Sequence, residues 1–131
     1  MIGLDTNVLL RYLLRDDPRQ SPKGAQALEH LTKSSPGFVS LVTVVEISWV
    51  LDTVYGFAPQ EIARAIEYLL QAESLFLQNE QEVSAAVQAL KSGQGSFDDA
   101  LIGALGSWAG CTATLTFDKR ASRLQGFELI A

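Results

Sequence analysis

The stretch that most constrains this chain is its first seven residues, Met1-Ile2-Gly3-Leu4-Asp5-Thr6-Asn7. Met1 to Leu4 is apolar, Asp5 ends the run, and a helical pattern follows at once. An apolar strand that stops at an acid and turns into a helix suits an open α/β sheet. There the strand's carboxyl end opens into the ligand crevice. Asp is also a common N-cap, so the stretch alone is weak evidence. The functional question becomes which other acids can reach Asp5.

Size allows a single domain, 1–131, with a sizeable core. Apolar residues make up 47% and charged residues 19%, which predicts a folded globule. The net charge of −5 argues against a broad basic surface for nucleic acid but leaves room for a local basic patch. The single cysteine, Cys111, has no internal disulfide partner and is expected as buried filler. No charged leader with an apolar core and cleavage site is present. The most apolar stretch, Phe38 to Leu51, is too short for a membrane span and carries Glu46. A cytoplasmic protein without a membrane partner is expected.

Periodicity and punctuation predict alternating helices and short strands. Helix is expected over Thr6–Leu14, broken by Arg15-Asp16-Asp17-Pro18, and again over Pro22–Lys33 with Ser21 as cap. A strand at Phe38–Ser40 leads to a helix over Leu41–Tyr55 that ends at Gly56. Further helices are expected over Pro59–Leu70, Glu80–Leu90 and Asp98–Ala109, and strands over Ser74–Leu77, Cys111–Thr116 and Phe127–Ile130. This alternation implies an α/β fold with a parallel sheet covered on both faces. Right-handed crossovers would bring the strand carboxyl ends to one edge. Asp5 and Asp118 both follow strands, and the loop before Asp99 can return to that edge.

Four acids, Asp5, Glu46, Asp99 and Asp118, are the candidates for chemistry. Glu46 has Val42, Thr43, Trp49 and Val50 as helical neighbours, so it is expected to be buried and therefore paired, protonated or bound to a cation. A salt bridge or a partly exposed position is the plainer alternative. Asp98-Asp99 opens a helix, where acids complement the dipole. Asp99 shares a face with Ile102, Gly103 and Gly106, which favours it as the inward acid and Asp98 as cap or auxiliary. Asp118 follows Thr114-Leu-Thr-Phe and precedes Lys119-Arg120. It reads as a turn residue or, with Thr116 and those cations, as part of a phosphate site.

Four acids brought together would repel unless a hard cation sits among them. Carboxylates without useful His or Cys point to Mg²⁺ or Mn²⁺ rather than zinc. His30, in a polar helical stretch, reads as a surface residue. A carboxylate cage around such an ion suits phosphodiester hydrolysis.

Met-Ile-Gly-Leu-Asp5-Thr-Asn, Glu46 in Val-Thr-Val-Val-Glu-Ile-Ser-Trp, Phe-Asp-Asp99-Ala-Leu-Ile-Gly-Ala and Thr-Leu-Thr-Phe-Asp118 together resemble a PIN-domain protein, closest to the VapC-type toxin ribonucleases. The resemblance covers nearly the whole chain, with the four segments in family order. It implies a three-layer α/β/α sandwich with a short parallel sheet and a Mg²⁺- or Mn²⁺-dependent endoribonuclease. Asp5, Glu46, Asp99 and Asp118 would be both the catalytic and the metal-binding acids. Thr6, Asn7 and Thr116 match supporting polar positions, and Asp98 stands where the family often has a small residue. The resemblance further implies a homodimer and a small antitoxin that covers the acidic groove and carries the contact with operator DNA. Arg11, Arg15, Lys119, Arg120 and Arg123 are the candidates for holding the RNA backbone, with a solvated surface charge as the plainer reading of each.

Two readings of other classes compete. An aspartate-based phosphate-transfer domain, receiver- or phosphatase-like, also uses a strand-end Asp. A phosphatase of that type wants a second Asp at position 7, which is Asn7. The other reading is a non-catalytic interaction module with a structural cation site.

Overall fold

The structure is a computed structural model that describes residues 1–15 and 18–131. Two short parallel sheets take up its strands. β1 (Ile2–Gly3), β2 (Gly37–Val39) and β3 (Leu75–Leu77) form the first, in the order β1-β2-β3. Ile2 pairs with Gly37 and Phe38 with Phe76. Each parallel step needs a crossover, and helices supply it. α1 (Thr6–Leu14) and α2 (Gln20–Glu29) lie between β1 and β2. α3 (Leu41–Thr53) and α4 (Pro59–Gln71) lie between β2 and β3. α5 (Glu80–Lys91) and α6 (Phe97–Trp108) then lead to β4 (Thr114–Thr116). A 3₁₀ turn, Ala121–Arg123, returns the chain to β5 (Phe127–Leu129), which pairs parallel to β4 with Thr114 opposite Phe127.

This is the α/β fold with helices around a short parallel sheet that the sequence predicts. Within this three-layer α/β/α arrangement the strands pair in two pieces, one three-stranded and one two-stranded. β1 is only two residues long and offers little ladder for another partner. Ile2, Leu115 and Phe117 are correspondingly exposed.

The core lies between the first sheet and the helices. Leu9 of α1, Val39 of β2, Ile47 and Leu51 of α3, Ile66 and Leu69 of α4, and Val83 and Val87 of α5 are all essentially buried. Full burial of one such side chain contributes roughly 1.5–3 kcal/mol. Ile62, Ile66 and Leu69 of α4 and Val83, Val87 and Leu90 of α5 face this core at helical spacing, with Leu70 only half-buried. α6 docks on β5 through Gly103, where an added Cβ would lie 2.4 Å from Cε2 of Phe127.

Several boundaries differ from expectation. α2 starts at Gln20 rather than Pro22 and ends at Glu29, so Ser21 is a buried residue of its first turn and not its cap. α3 ends at Thr53, and Gly56 (φ 66°) closes the turn after it by donating to the Asp52 carbonyl at 3.1 Å. The break expected at Arg15–Pro18 includes Asp16 and Asp17, which lie outside the described residues. Cys111, expected as buried filler, is exposed, because β4 starts only at Thr114 and leaves it in the preceding loop.

Candidate active site

Asp5 follows β1 and caps α1. Its backbone is extended (φ −91°, ψ 172°), and its Oδ1 accepts the N–H of Val8 at 3.0 Å. One carboxylate oxygen therefore satisfies a helix terminus. Asn7, one helical step on, donates from Nδ2 to Oε1 of Gln20 at 3.2 Å and ties α1 to α2. Thr6 is half-buried beside it.

Asp118 repeats the arrangement after β4. Its Oδ1 accepts the N–H of Arg120 at 2.7 Å and of Ala121 at 3.3 Å, capping the 3₁₀ turn. Oγ1 of Thr116 accepts the N–H of Asp118 at 3.0 Å. Thr116 thus fixes the backbone that carries the acid.

Asp98 and Asp99 both lie in the first turn of α6, as expected. Asp98 is exposed and Asp99 half-buried, so Asp99 is the more inward of the pair. The N-cap is neither of them. Ser96 fills that position, and its Oγ accepts the N–H of Asp99 at 3.3 Å. The Ser three residues before an acid is the sequence signal for this cap. Ser40 plays the same part for α3, accepting from the N–H of Thr43 at 3.2 Å.

Glu46 is not buried, which corrects the expectation drawn from its neighbours. α3 buries Thr43, Val44, Ile47, Ser48 and Leu51. Glu46 stands on the other side, with Val42 69% and Trp49 63% exposed on the same face. α3 is apolar almost all round, so apolar neighbours in the sequence did not mark the core side. The acid is therefore open to solvent without a desolvation penalty.

None of these acids is ion-paired with a described residue; the described salt bridge is Lys91 to Glu67 at 2.6 Å. Among the described residues no three His, Cys, Asp or Glu side chains are grouped so that they could hold a metal ion. As placed, the four acids do not form the expected cage. Asp5 follows a strand of the three-stranded sheet and Asp118 a strand of the two-stranded one.

The five cations fall into two groups. Arg11 donates from Nη2 to the Tyr55 hydroxyl at 3.0 Å, and the Arg15 guanidinium lies 5.6 Å from the Tyr12 ring centre. Lys119, Arg120 and Arg123 belong to the segment that Asp118 opens. Beside the first group lies a tyrosine pair that the sequence reading missed. The Tyr12 and Tyr68 hydroxyls are 3.0 Å apart. Their mutual hydrogen bond, then burial, holds the Tyr12 phenol above its ordinary value, against a smaller lowering by Arg15.

The model of the PIN domain family matches residues 2–126. The chain belongs to the PIN-domain family. No curated protein matches it. PIN domains are generally nucleases that depend on divalent metal ions. No helix among the described residues of this PIN domain is long and apolar enough to cross a membrane.

Proposed function

We propose that this PIN domain is a Mg²⁺- or Mn²⁺-dependent endoribonuclease, acting in the cytoplasm as the toxin of a toxin–antitoxin pair. Asp5, Glu46, Asp99 and Asp118 are its acids, with Thr6, Asn7, Asp98 and Thr116 in support. The observation that carries this reading is the family match over residues 2–126 combined with four accessible carboxylates that have no cationic partner among the described residues. Uncompensated carboxylates would repel an RNA phosphate. They serve phosphodiester hydrolysis only when a cation offsets them.

The chain's own groups have distinct tasks. Asp5 and Asp118 each commit Oδ1 to a backbone cap, and in this reading Oδ2 is the oxygen left for the reaction. The Glu46 carboxylate, unencumbered on α3, orients or deprotonates the attacking water. Arg11, Arg15, Lys119, Arg120 and Arg123 hold the RNA backbone and orient the strand without reading its sequence. A homodimer and an antitoxin that covers the acidic groove complete the assignment, with operator DNA contacted only through the antitoxin.

The test is RNA degradation by pure, antitoxin-free protein with Mg²⁺, Mn²⁺ or chelator. Cleavage that needs the ion and disappears in Asp5→Asn supports the reading. RNA left intact under all three conditions contradicts it.

One observation favours a second reading, the non-catalytic interaction module. No three acids are grouped as ligands among the described residues, and exposed Val42 and Trp49 flank Glu46. An intact RNA pool, together with a partner that protects Trp49 from solvent, would favour it. The phosphate-transfer reading loses its support with the family match.

A further inference from the structure

A cleft of about 450 Å³ lies between the loop that joins α5 to α6 and the 3₁₀ turn after β4. Gly93, Gln94, Gly95, Arg120, Arg123 and Gln125 line it. The lining holds two guanidinium groups and two amides and no carboxylate, in a chain whose net charge is −5. Neither guanidinium is ion-paired with a described residue. We infer that this cleft seats a phosphodiester group of the RNA strand, through Arg120 and Arg123.

The local structure aims both arginines into one space. A 3₁₀ helix has 3.0 residues per turn, so residues three apart eclipse. Arg120 and Arg123 flank one such turn, and the N–H of Arg123 bonds the Arg120 carbonyl at 3.2 Å. The turn is braced from below. The N–H of Ser122 reaches the Asp118 carbonyl at 3.0 Å, and the Ser122 hydroxyl donates to the Lys119 carbonyl at 2.6 Å.

The opposite wall is clamped to it. Leu124 is buried and packs on Gly95, where an added Cβ would stand 3.0 Å from Leu124 Cδ1. The two walls therefore keep their spacing through close contact. Guanidinium groups match phosphate oxygens bidentately. The amides of Gln94 and Gln125 can both donate and accept, which suits phosphate oxygens and ribose hydroxyls alike.

A chain fits better than a free anion. Gln94 and Gln125 also line an adjoining cleft of about 570 Å³ between α5, α6 and the β4–β5 sheet. A strand whose phosphate sits on the arginines can continue there. Asp118 opens the same turn, so the seat lies next to one of the proposed catalytic acids. The inference rests on the ribonuclease reading for its substrate and extends it by naming where the backbone is held.

The experiment reads binding without turnover. A fluorescein-labelled single-stranded RNA 12-mer is titrated with the full chain in chelator, by anisotropy, across NaCl concentrations. Arg120→Gln/Arg123→Gln should bind about tenfold more weakly at low salt. Its log–log salt slope should be shallower by about 0.7, since single strands lose about 0.7 per phosphate neutralised and the two arginines share one phosphate. Lys23→Gln/Lys33→Gln, an equal change in charge elsewhere, should stay within about twofold of wild type. Circular dichroism melts confirm that both variants fold.

Equal binding by wild type and the arginine variant overturns the inference. So does an equal loss in the lysine variant, because net charge alone would then explain the effect. Inorganic phosphate at constant ionic strength should leave the RNA bound; full displacement assigns the cleft to a free phosphate instead. RNA bound through the arginines but never cleaved with Mg²⁺ or Mn²⁺ sinks the nuclease reading and leaves the seat standing. Normal cleavage with unchanged binding of the arginine variant does the reverse.

Discussion

Asp118 and Arg120 are joined by a 2.7 Å hydrogen bond from the arginine's main-chain N–H to Oδ1 of the acid. The last acid of the proposed site and the first cation of the phosphate seat are thus parts of one turn. Asp118→Asn keeps the acceptor oxygen and should keep the turn, the melting temperature and RNA binding in chelator while lowering cleavage. Asp118→Ala removes the cap, should cost about 1 kcal/mol, and should weaken RNA binding too. Urea unfolding and anisotropy on the two variants separate these outcomes. Equal binding by both would show that the cap does not shape the seat.

Glu46 separates stability from activity more sharply. It is exposed on α3 and ion-paired with no described residue, so Glu46→Gln should change stability by no more than about 0.5 kcal/mol. Cleavage should fall by about a hundredfold or more if the carboxylate handles the attacking water. Thermal melting and initial rates check the pair, and a variant as active as wild type would remove Glu46 from the reaction.

Gly103 tests how the β4–β5 sheet is held. Its Cα faces Phe127 so closely that Gly103→Ala forces the ring or α6 to shift. Overpacking of this kind costs about 1–3 kcal/mol, more than the roughly 1 kcal/mol of helix propensity that alanine restores. A lower urea midpoint is expected. An unchanged or higher midpoint would mean that α6 and β5 yield freely to each other.

The Tyr12–Tyr68 pair gives a pH signature. The folded state raises the Tyr12 phenol above its ordinary value of 10.0, so the protonated form is favoured on folding. That contribution is complete below about pH 10 and is lost as pH rises through the folded value. Tyr12→Phe has no phenol to ionise. Its stability relative to wild type should therefore improve from pH 9 to pH 11, as measured by urea unfolding at each pH. A constant difference would contradict the pairing.

Much of this was legible in the residues. Regular apolar spacing marked α4 and α5, and the strand-acid-helix opening placed Asp5 at the head of α1. The face of Glu46 was not legible, because α3 has apolar residues on both its buried and its exposed sides. The break between β1 and β4 was hidden too, since strand pairing depends on length and packing that a two-residue β1 barely encodes. The arginine seat joins residues 93–95 to residues 120–125. Only the contact between Leu124 and Gly95 reveals it.

Asp5 carries the central claim, because Asp5→Asn preserves the cap on α1 and removes the charge. Asn caps helices about as well as Asp. The decisive measurement is the initial rate of RNA cleavage by wild type and Asp5→Asn, each with Mg²⁺, Mn²⁺ and chelator, alongside a melting curve. The expected result is unchanged melting, ion-dependent cleavage by wild type and none by the variant. An Asp5→Asn protein that cleaves at the wild-type rate would contradict the account.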